Sequence, residues 1–257
     1  MSYALITGAS GGIGLDLAAL FAKKGIDIVL VARSSDKLNA IKTNFEKEYH
    51  INVTVITKDL SEPYSAESIY SKIQEMNISV EYLVNNAGFG DWGKFSETSP
   101  EKQHRMMYLN MISLTMLSKL FLKDMLSNNC GKILNIASTA AFQPGPFMAV
   151  YYATKAYVLS FSEAISEELK GTGVTVTTLC PGPTKTGFED AAGLNDSKLF
   201  KMLKPAPSQK VAEYGFQAMI KGKRTAVFGF QNKLMIFFDR FVPKFIILKM
   251  VRSIQGN

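Results

Sequence analysis

The fold is decided at Tyr3-Ala4-Leu5-Ile6-Thr7-Gly8-Ala9-Ser10-Gly11-Gly12-Ile13-Gly14. Tyr3 to Ile6 reads as a strand, Gly8, Gly12 and Gly14 follow a GxxxGxG spacing, and a helical pattern starts at Ile13. Glycines let the backbone bend and let a pyrophosphate approach, while the start of a helix offers free N–H groups to an anion. A glycine-rich turn alone is also compatible with a plain tight loop. Its position at the first strand–helix junction favours a dinucleotide turn. Because the strand starts at residue 3, no secretory leader is expected before it.

Outward from this turn, short β-branched runs alternate with longer amphipathic ones. Strands are predicted at Ala4–Thr7, Ile28–Ala32, Val53–Thr57, Tyr82–Asn85, Lys132–Ile136, Val174–Leu179 and Thr225–Phe228. Helices are predicted at Ile13–Lys24, Ser35–Tyr49, Ser65–Met76, Pro100–Met125 and Ala149–Lys170. Nearly continuous apolar strands separated by helices predict an α/β fold: a doubly wound parallel sheet of about seven strands with helices on both faces. Ser99 and Pro100 suit a helix start, and Gly25 and Gly171 suit helix ends. The 257 residues, 47% apolar, are enough for one large core, so a single domain over 1–257 is expected. Two runs break the alternation: 188–210, read as a substrate lid, and 230–257, read as a basic amphipathic tail.

A NAD site usually carries an acid about 20 residues beyond the glycine turn, at the end of the second strand. Here the strand ends Val31-Ala32-Arg33-Ser34-Ser35, with no acid before Asp36. A guanidinium suits a 2′-phosphate, so NADP(H) is expected in preference to NAD(H).

The glycine turn, Asn85-Asn86-Ala87-Gly88 after a strand, Ser138, and Tyr151-x-x-x-Lys155 together resemble the short-chain dehydrogenase/reductase family. The resemblance covers roughly residues 3–230 and favours the plain oxidoreductase branch, because the extended branch typically carries TGxxGxxG. It implies a Rossmann-like domain and a catalytic set of Asn110, Ser138, Tyr151 and Lys155. The implied cofactor contacts are Gly8, Ser10, Gly12, Ile13, Gly14, Arg33, Asp59, Leu60, Asn86, Ala87, Gly88, Tyr151, Lys155, Pro181, Gly182, Thr184 and Thr186. Among these, Asp59 resembles the acid that contacts adenine. Pro181 to Thr186 resembles the segment beside the nicotinamide.

These residues suit the interconversion of a carbonyl and a secondary alcohol. Tyr151 and Lys155 are four apart and share a helix face. A nearby ammonium is expected to pull the phenol toward neutrality, so that it exchanges a proton with the substrate oxygen. Ser138 can hydrogen-bond the same oxygen. The family implies that Asn110 holds a water linking Lys155 to solvent. Phe89, Trp92 and Phe95 suit either a substrate mouth or core packing, and Ala140–Val150 offers an apolar wall. In the lid, Phe188, Leu194, Leu199, Phe200, Met202 and Leu203 suggest an acyl chain, a steroid, or a hydrophobic ketone or aldehyde.

The net charge of +7 is unevenly placed. Residues 1–200 carry 18 Lys+Arg and 20 Asp+Glu, whereas 201–257 carry 11 and 2. In the tail, Leu234, Phe237, Phe238, Phe241, Phe245, Leu248 and Val251 recur at helical spacing, with Pro243 expected to split two short helices. The tail resembles that of hydroxysteroid dehydrogenases and long-chain 3-oxoacyl-CoA reductases. Packing on the domain, a dimer seam and peripheral contact with an anionic membrane are its alternative readings. Nucleic-acid binding is not expected, since the cations alternate with large apolar residues. Cys130 and Cys180 lie in no metal or redox motif, and His50 and His104 have no ligand partners, so no metal is expected. The chain is therefore expected to be cytoplasmic, with or without a membrane contact, and a homodimer or homotetramer with a small-molecule substrate. The competing reading is a catalytically silent NADP-binding sensor or scaffold.

Overall fold

The strands β1 (Tyr3–Thr7), β2 (Asp27–Ala32), β3 (Val53–Thr57), β4 (Val80–Asn85), β5 (Gly131–Ile136) and β6 (Val174–Cys180) alternate with helices, as their apolar runs predict. The computed structural model describes residues 2–193 and 205–256. The helices of this part are α1 (Gly12–Ala22), α2 (Ser35–Tyr49), α3 (Ser65–Glu75), α4 (Pro100–Met107), α5 (Leu114–Ser127) and α6 (Ala149–Glu168). Then come β7 (Thr184–Lys185), α7 (Phe188–Ala192), β8 (Ala206–Pro207), α8 (Ser208–Ile220), β9 (Thr225–Val227), α9 (Phe230–Asp239) and α10 (Lys244–Gln255). The expected Pro243 break falls between the last two helices.

The main sheet is parallel, seven-stranded and ordered β3-β2-β1-β4-β5-β6-β9. β7 and β8 form a separate parallel pair. Strand side chains alternate between faces, so β1 feeds two cores. Ala4 and Ile6 pack with Leu17, Phe21, Val211 and Phe216 on the α1, α2 and α8 side. Leu5 packs with Ile69, Ile73, Leu117 and Phe121 on the α3 and α5 side. Strand order reverses between β1 and β4, so the crevice beyond their carboxyl ends is the natural ligand position.

Local signals explain the element ends. The Ser99 hydroxyl accepts from the Lys102 N–H at 3.2 Å, capping α4 with Pro100 at its start. The expected helix Pro100–Met125 is not uniformly α. Tyr108–Ser113 forms a π-helical segment between α4 and α5, and such segments often mark functional sites.

Candidate active site

The carboxyl ends of the central strands open into a cavity of about 750 Å³. At one end lies the glycine turn. Gly8 (φ 67°) and Gly12 (φ 54°) occupy the left-handed region that favours glycine. Gly8, Ser10, Gly12 and Ile13 line the cavity. Helix α1 starts without a side-chain cap and without an acid in its first turn. Its N–H groups thus suit an anion such as a pyrophosphate.

Gly14 acts differently. A Cβ there would lie 2.4 Å from the Gly8 carbonyl oxygen and 2.5 Å from Asn86 Nδ2, so this glycine packs the turn and does not line the cavity. The β1 and β4 turns are bonded together. Thr7 Oγ1 accepts from the N–H groups of Asn86 and Ala87, each at 3.0 Å. Asn86 Nδ2 donates to the Thr7 carbonyl at 2.9 Å. Asn86, Ala87 and Gly88 thereby reach the cavity wall. Behind them Asn85 Nδ2 donates to Asn135 Oδ1 at 2.9 Å, and Asn135 Nδ2 donates to Ser162 Oγ at 2.9 Å, joining β4, β5 and α6.

Beyond β2 the lining includes Arg33, Ser34 and Lys37. The Arg33 side chain is 72% exposed and only 3.9 Å from its nearest acid, Asp59. Asp59 and Leu60 do not line the cavity. Burial pushes the Asp59 carboxyl up, but the Ser61 hydroxyl and N–H, with Arg33 and Arg105, outweigh it and hold the group below its ordinary range. Arg105 is its close partner, at 2.7 Å. The Leu60 side chain is buried in the core, and its carbonyl accepts from Ser113 Oγ at 2.6 Å.

At the carboxyl end of β5, Ser138, Tyr151 and Lys155 converge on the cavity. Ser138 opens a short 3-10 turn (Thr139–Phe142), and its hydroxyl accepts from the Ala140 N–H at 3.1 Å. Tyr151 and Lys155 sit one turn apart on α6, both buried. Lys155 Nζ donates to the Ile136 carbonyl at 2.9 Å and lies 5.8 Å from the centre of the Tyr151 ring.

The proton balance differs from the expected one. Burial raises the Tyr151 phenol above its ordinary value, with a hydrogen bond from Ser138 opposing. Burial also lowers Lys155 to about 8. Desolvation penalises both charged forms, so the phenol moves in the direction opposite to the one expected from a nearby ammonium.

Asn110 lies outside the cavity lining, within the π segment and 1% exposed. Its Oδ1 accepts from the Phe89 N–H at 3.2 Å. Its Nδ2 donates to the Phe89 carbonyl at 3.0 Å and to Thr154 Oγ1 at 3.1 Å. Both amide protons are occupied by protein partners, so the side chain fixes the backbone just beyond Gly88.

Pro181, Gly182, Thr184 and Thr186 line the opposite wall. The remaining wall is mostly apolar: Met148, Tyr152 and Phe188, then Met235, Val251 and Ile254 from the last two helices. The Phe188 ring sits 5.3 Å from that of Tyr151. Phe89 and Trp92 pack behind Tyr151 and Met148 instead of lining the mouth, and Phe95 is 71% exposed. Of the expected lid, Leu194, Leu199, Phe200, Met202 and Leu203 lie outside the described residues.

Residues 2–199 match the short chain dehydrogenase family.

The chain belongs to that family.

As a short-chain dehydrogenase it is an oxidoreductase of the hydroxyl/keto type, and the family uses a nicotinamide cofactor. It is 30% identical to mouse very-long-chain 3-oxoacyl-CoA reductase over 99% of this chain and 80% of the relative. It is 34% identical to human 17-beta-hydroxysteroid dehydrogenase type 3 over 72% of this chain and 60% of the relative. A short-chain dehydrogenase from Sphingobium yanoikuyae in complex with NADPH superposes with a TM-score of 0.83 at 27% identity, covering 94% of each chain.

Sequence reasoning missed three parts of this short-chain dehydrogenase's cavity. Lys37 is one residue of an amphipathic helix in the sequence, and its place in the first turn of α2 puts it on the cavity wall. Tyr152 reads as a rival to Tyr151, yet its hydroxyl is bonded by Gln255 Nε2. The tail contributes Asn232, Met235, Val251, Ile254 and Gln255 to the lining, and no local signal announces this.

Proposed function

We propose that this short-chain dehydrogenase transfers a hydride between NADP(H) and the carbonyl/secondary-alcohol pair of an apolar substrate: a 3-oxoacyl chain, a steroid, or a hydrophobic ketone or aldehyde. The observation that carries the reading is the convergence of Ser138, Tyr151 and Lys155 between an uncapped helix start and an apolar wall. When bound, the nicotinamide gives or takes the hydride. Tyr151, kept protonated by burial, donates its proton to the carbonyl oxygen during reduction. Ser138 holds that oxygen, and Lys155 supplies positive charge beneath the phenol while it stays protonated, below about pH 8. Asn110 positions the Gly88–Phe89 backbone.

The cofactor contacts proposed are those expected from sequence that line the cavity, with Lys37 added and Gly14, Asp59 and Leu60 supporting from behind. The apolar wall, and the two named relatives acting on 3-oxoacyl-CoA and a hydroxysteroid, support the substrate class. We take 1–257 as one catalytic domain, with 188–210 as lid and 230–257 as tail. A homodimer or homotetramer fits the exposed apolar side chains Ile112 and Tyr157. A reducing, cytoplasmic compartment suits the two free thiols.

The test is nicotinamide absorbance with NADPH across a panel of apolar and small polar carbonyls, with NADH as control. Turnover confined to apolar members, faster with NADPH, is expected. Turnover of none would reject the reading.

The NADP preference has its own test. Arg33→Ala should raise the KM for NADPH roughly tenfold, about what a lost charge-assisted phosphate contact costs, and leave NADH nearly unchanged. Lys37→Ala should act in the same direction. Equal shifts for both cofactors would remove the 2′-phosphate assignment.

A further inference from the structure

The last two helices bury little of themselves. In α9 only Ile236 is buried, and in α10 only Ile247, Val251 and Gln255. Their outer faces are aromatic. Phe237, Phe238, Phe241 and Phe245 are 52%, 53%, 71% and 62% exposed. Ten of the seventeen exposed large hydrophobic side chains among the described residues fall within 230–250. Phe237 stacks edge-on to Phe238 at 5.6 Å and Phe241 at 5.4 Å, forming a ring cluster on the surface. A helix facing plain water carries polar residues on that side.

The charges on these helices are almost all of one sign. Lys233, Arg240, Lys244, Lys249 and Arg252 are exposed and form no ion pair among the described residues. The one acid between 230 and 257 is Asp239. A second copy of the chain across a two-fold axis would bring this cationic face against itself. A bilayer with anionic headgroups accepts both kinds of group at once. Rings enter the headgroup boundary, and lysine and arginine stems run along it with their charges among the phosphates.

We propose that the outer face of α9 and α10 docks this enzyme on an anionic lipid bilayer, with the far wall of the cavity lying directly behind the docked face. The inner faces of the same helices supply Met235, Val251 and Ile254 to the cavity, and a helix with its side chains is only about 10 Å thick. An apolar substrate dissolved in the bilayer therefore lies one helix thickness from the cavity. This second part rests on the proposed apolar substrate class; the docking itself does not.

The test uses the full chain floated with phosphatidylcholine vesicles, with and without phosphatidylserine. Binding that requires the anionic lipid and weakens with salt is expected. Phe241→Ser with Phe245→Ser should abolish it. Lys244→Glu with Lys249→Glu should weaken it by roughly 25-fold or more, about fivefold per cation removed. Both variants keep the cavity lining intact, so unchanged thermal unfolding and NADPH binding serve as fold controls. A full chain that does not float with anionic vesicles overturns the proposal. So does a dimer by light scattering that the double phenylalanine variant dissociates, with vesicle binding absent. If docking holds, anionic vesicles should raise kcat/KM for long-chain ketones and leave short water-soluble ones unchanged. Docking without that rise rejects only the delivery step.

Discussion

Tyr151→Phe should lower kcat by a factor on the order of 10² to 10⁴, the usual worth of a positioned acid–base group, and leave NADPH affinity within about twofold. The substitution removes one oxygen. The ring keeps its place against Phe188 at 5.3 Å and Tyr152 at 6.1 Å, so the cavity should hold its shape. No neighbour can take over. Ser138 lacks the acidity, and the Tyr152 hydroxyl is held by Gln255. Thermal stability should be equal or slightly higher, because the lost hydroxyl is buried. Tyr152→Phe is the matched control: it breaks the Gln255 bond but spares the proton donor, so its effect should fall mainly on KM for bulky substrates. Near-normal kcat in Tyr151→Phe, or a larger loss in Tyr152→Phe, would shift the donor role to another residue.

Lys155→Met should abolish turnover and change how stability responds to pH. Burial lowers the ammonium from its ordinary 10.5 to about 8. Between those values the unfolded chain binds this proton and the folded chain does not, so wild-type stability rises as pH climbs through the window. Below about pH 8 both states are charged and the fold carries the full desolvation cost. Methionine has no such cost, but it leaves the Ile136 carbonyl without its 2.9 Å donor, a loss of about 1–3 kcal/mol at every pH. The absolute difference at pH 7 is thus a small remainder. Its change with pH is cleaner: the advantage of methionine over lysine should shrink by on the order of 3 kcal/mol between pH 7 and pH 10.5. Unfolding of both proteins at the two pH values measures it. A gap that does not move would mean that Lys155 is well solvated in the fold.

The strands, the glycine turn and the helix starts were legible because their causes are local. Apolar alternation, a glycine that must adopt positive φ, and a serine ahead of a proline each act within a few residues. Ser138, Tyr151 and Lys155 stand out in the sequence through the family resemblance, with Tyr151 and Lys155 also four residues apart, and the parallel sheet brings their two elements together at one cavity. What stayed hidden depends on distant contacts. Gln255 meets Tyr152 across 103 residues, and the Trp92 indole donates to the Gln255 carbonyl across 163. The tail shows the difference most clearly. Helical spacing groups Leu234, Phe237, Phe238, Phe241, Phe245, Leu248 and Val251 as the apolar positions of two short helices, yet only Val251 of these is buried. The inward face is the narrower Ile236, Ile247, Val251 and Gln255 set. Periodicity reports that a helix has two faces, and tertiary packing decides which of them meets the protein. Asn110 is a second case: the family resemblance names it, but the π segment that carries it leaves no pattern in the residues Tyr108 to Ser113.

The far wall of the cavity, built by α9 and α10, has one more consequence. Ser138, Tyr151 and Lys155 come from the middle of the chain, whereas Met235, Val251 and Ile254 come from its last two helices. On the proposed reading, the last two helices would add a part of the substrate wall that lies far in sequence from the proton-transfer groups, joined to them by bonds such as that between Gln255 and Tyr152. Transplanting a relative's final two helices onto this body would be a direct way to exchange one substrate range for another while the proton-transfer groups stay untouched.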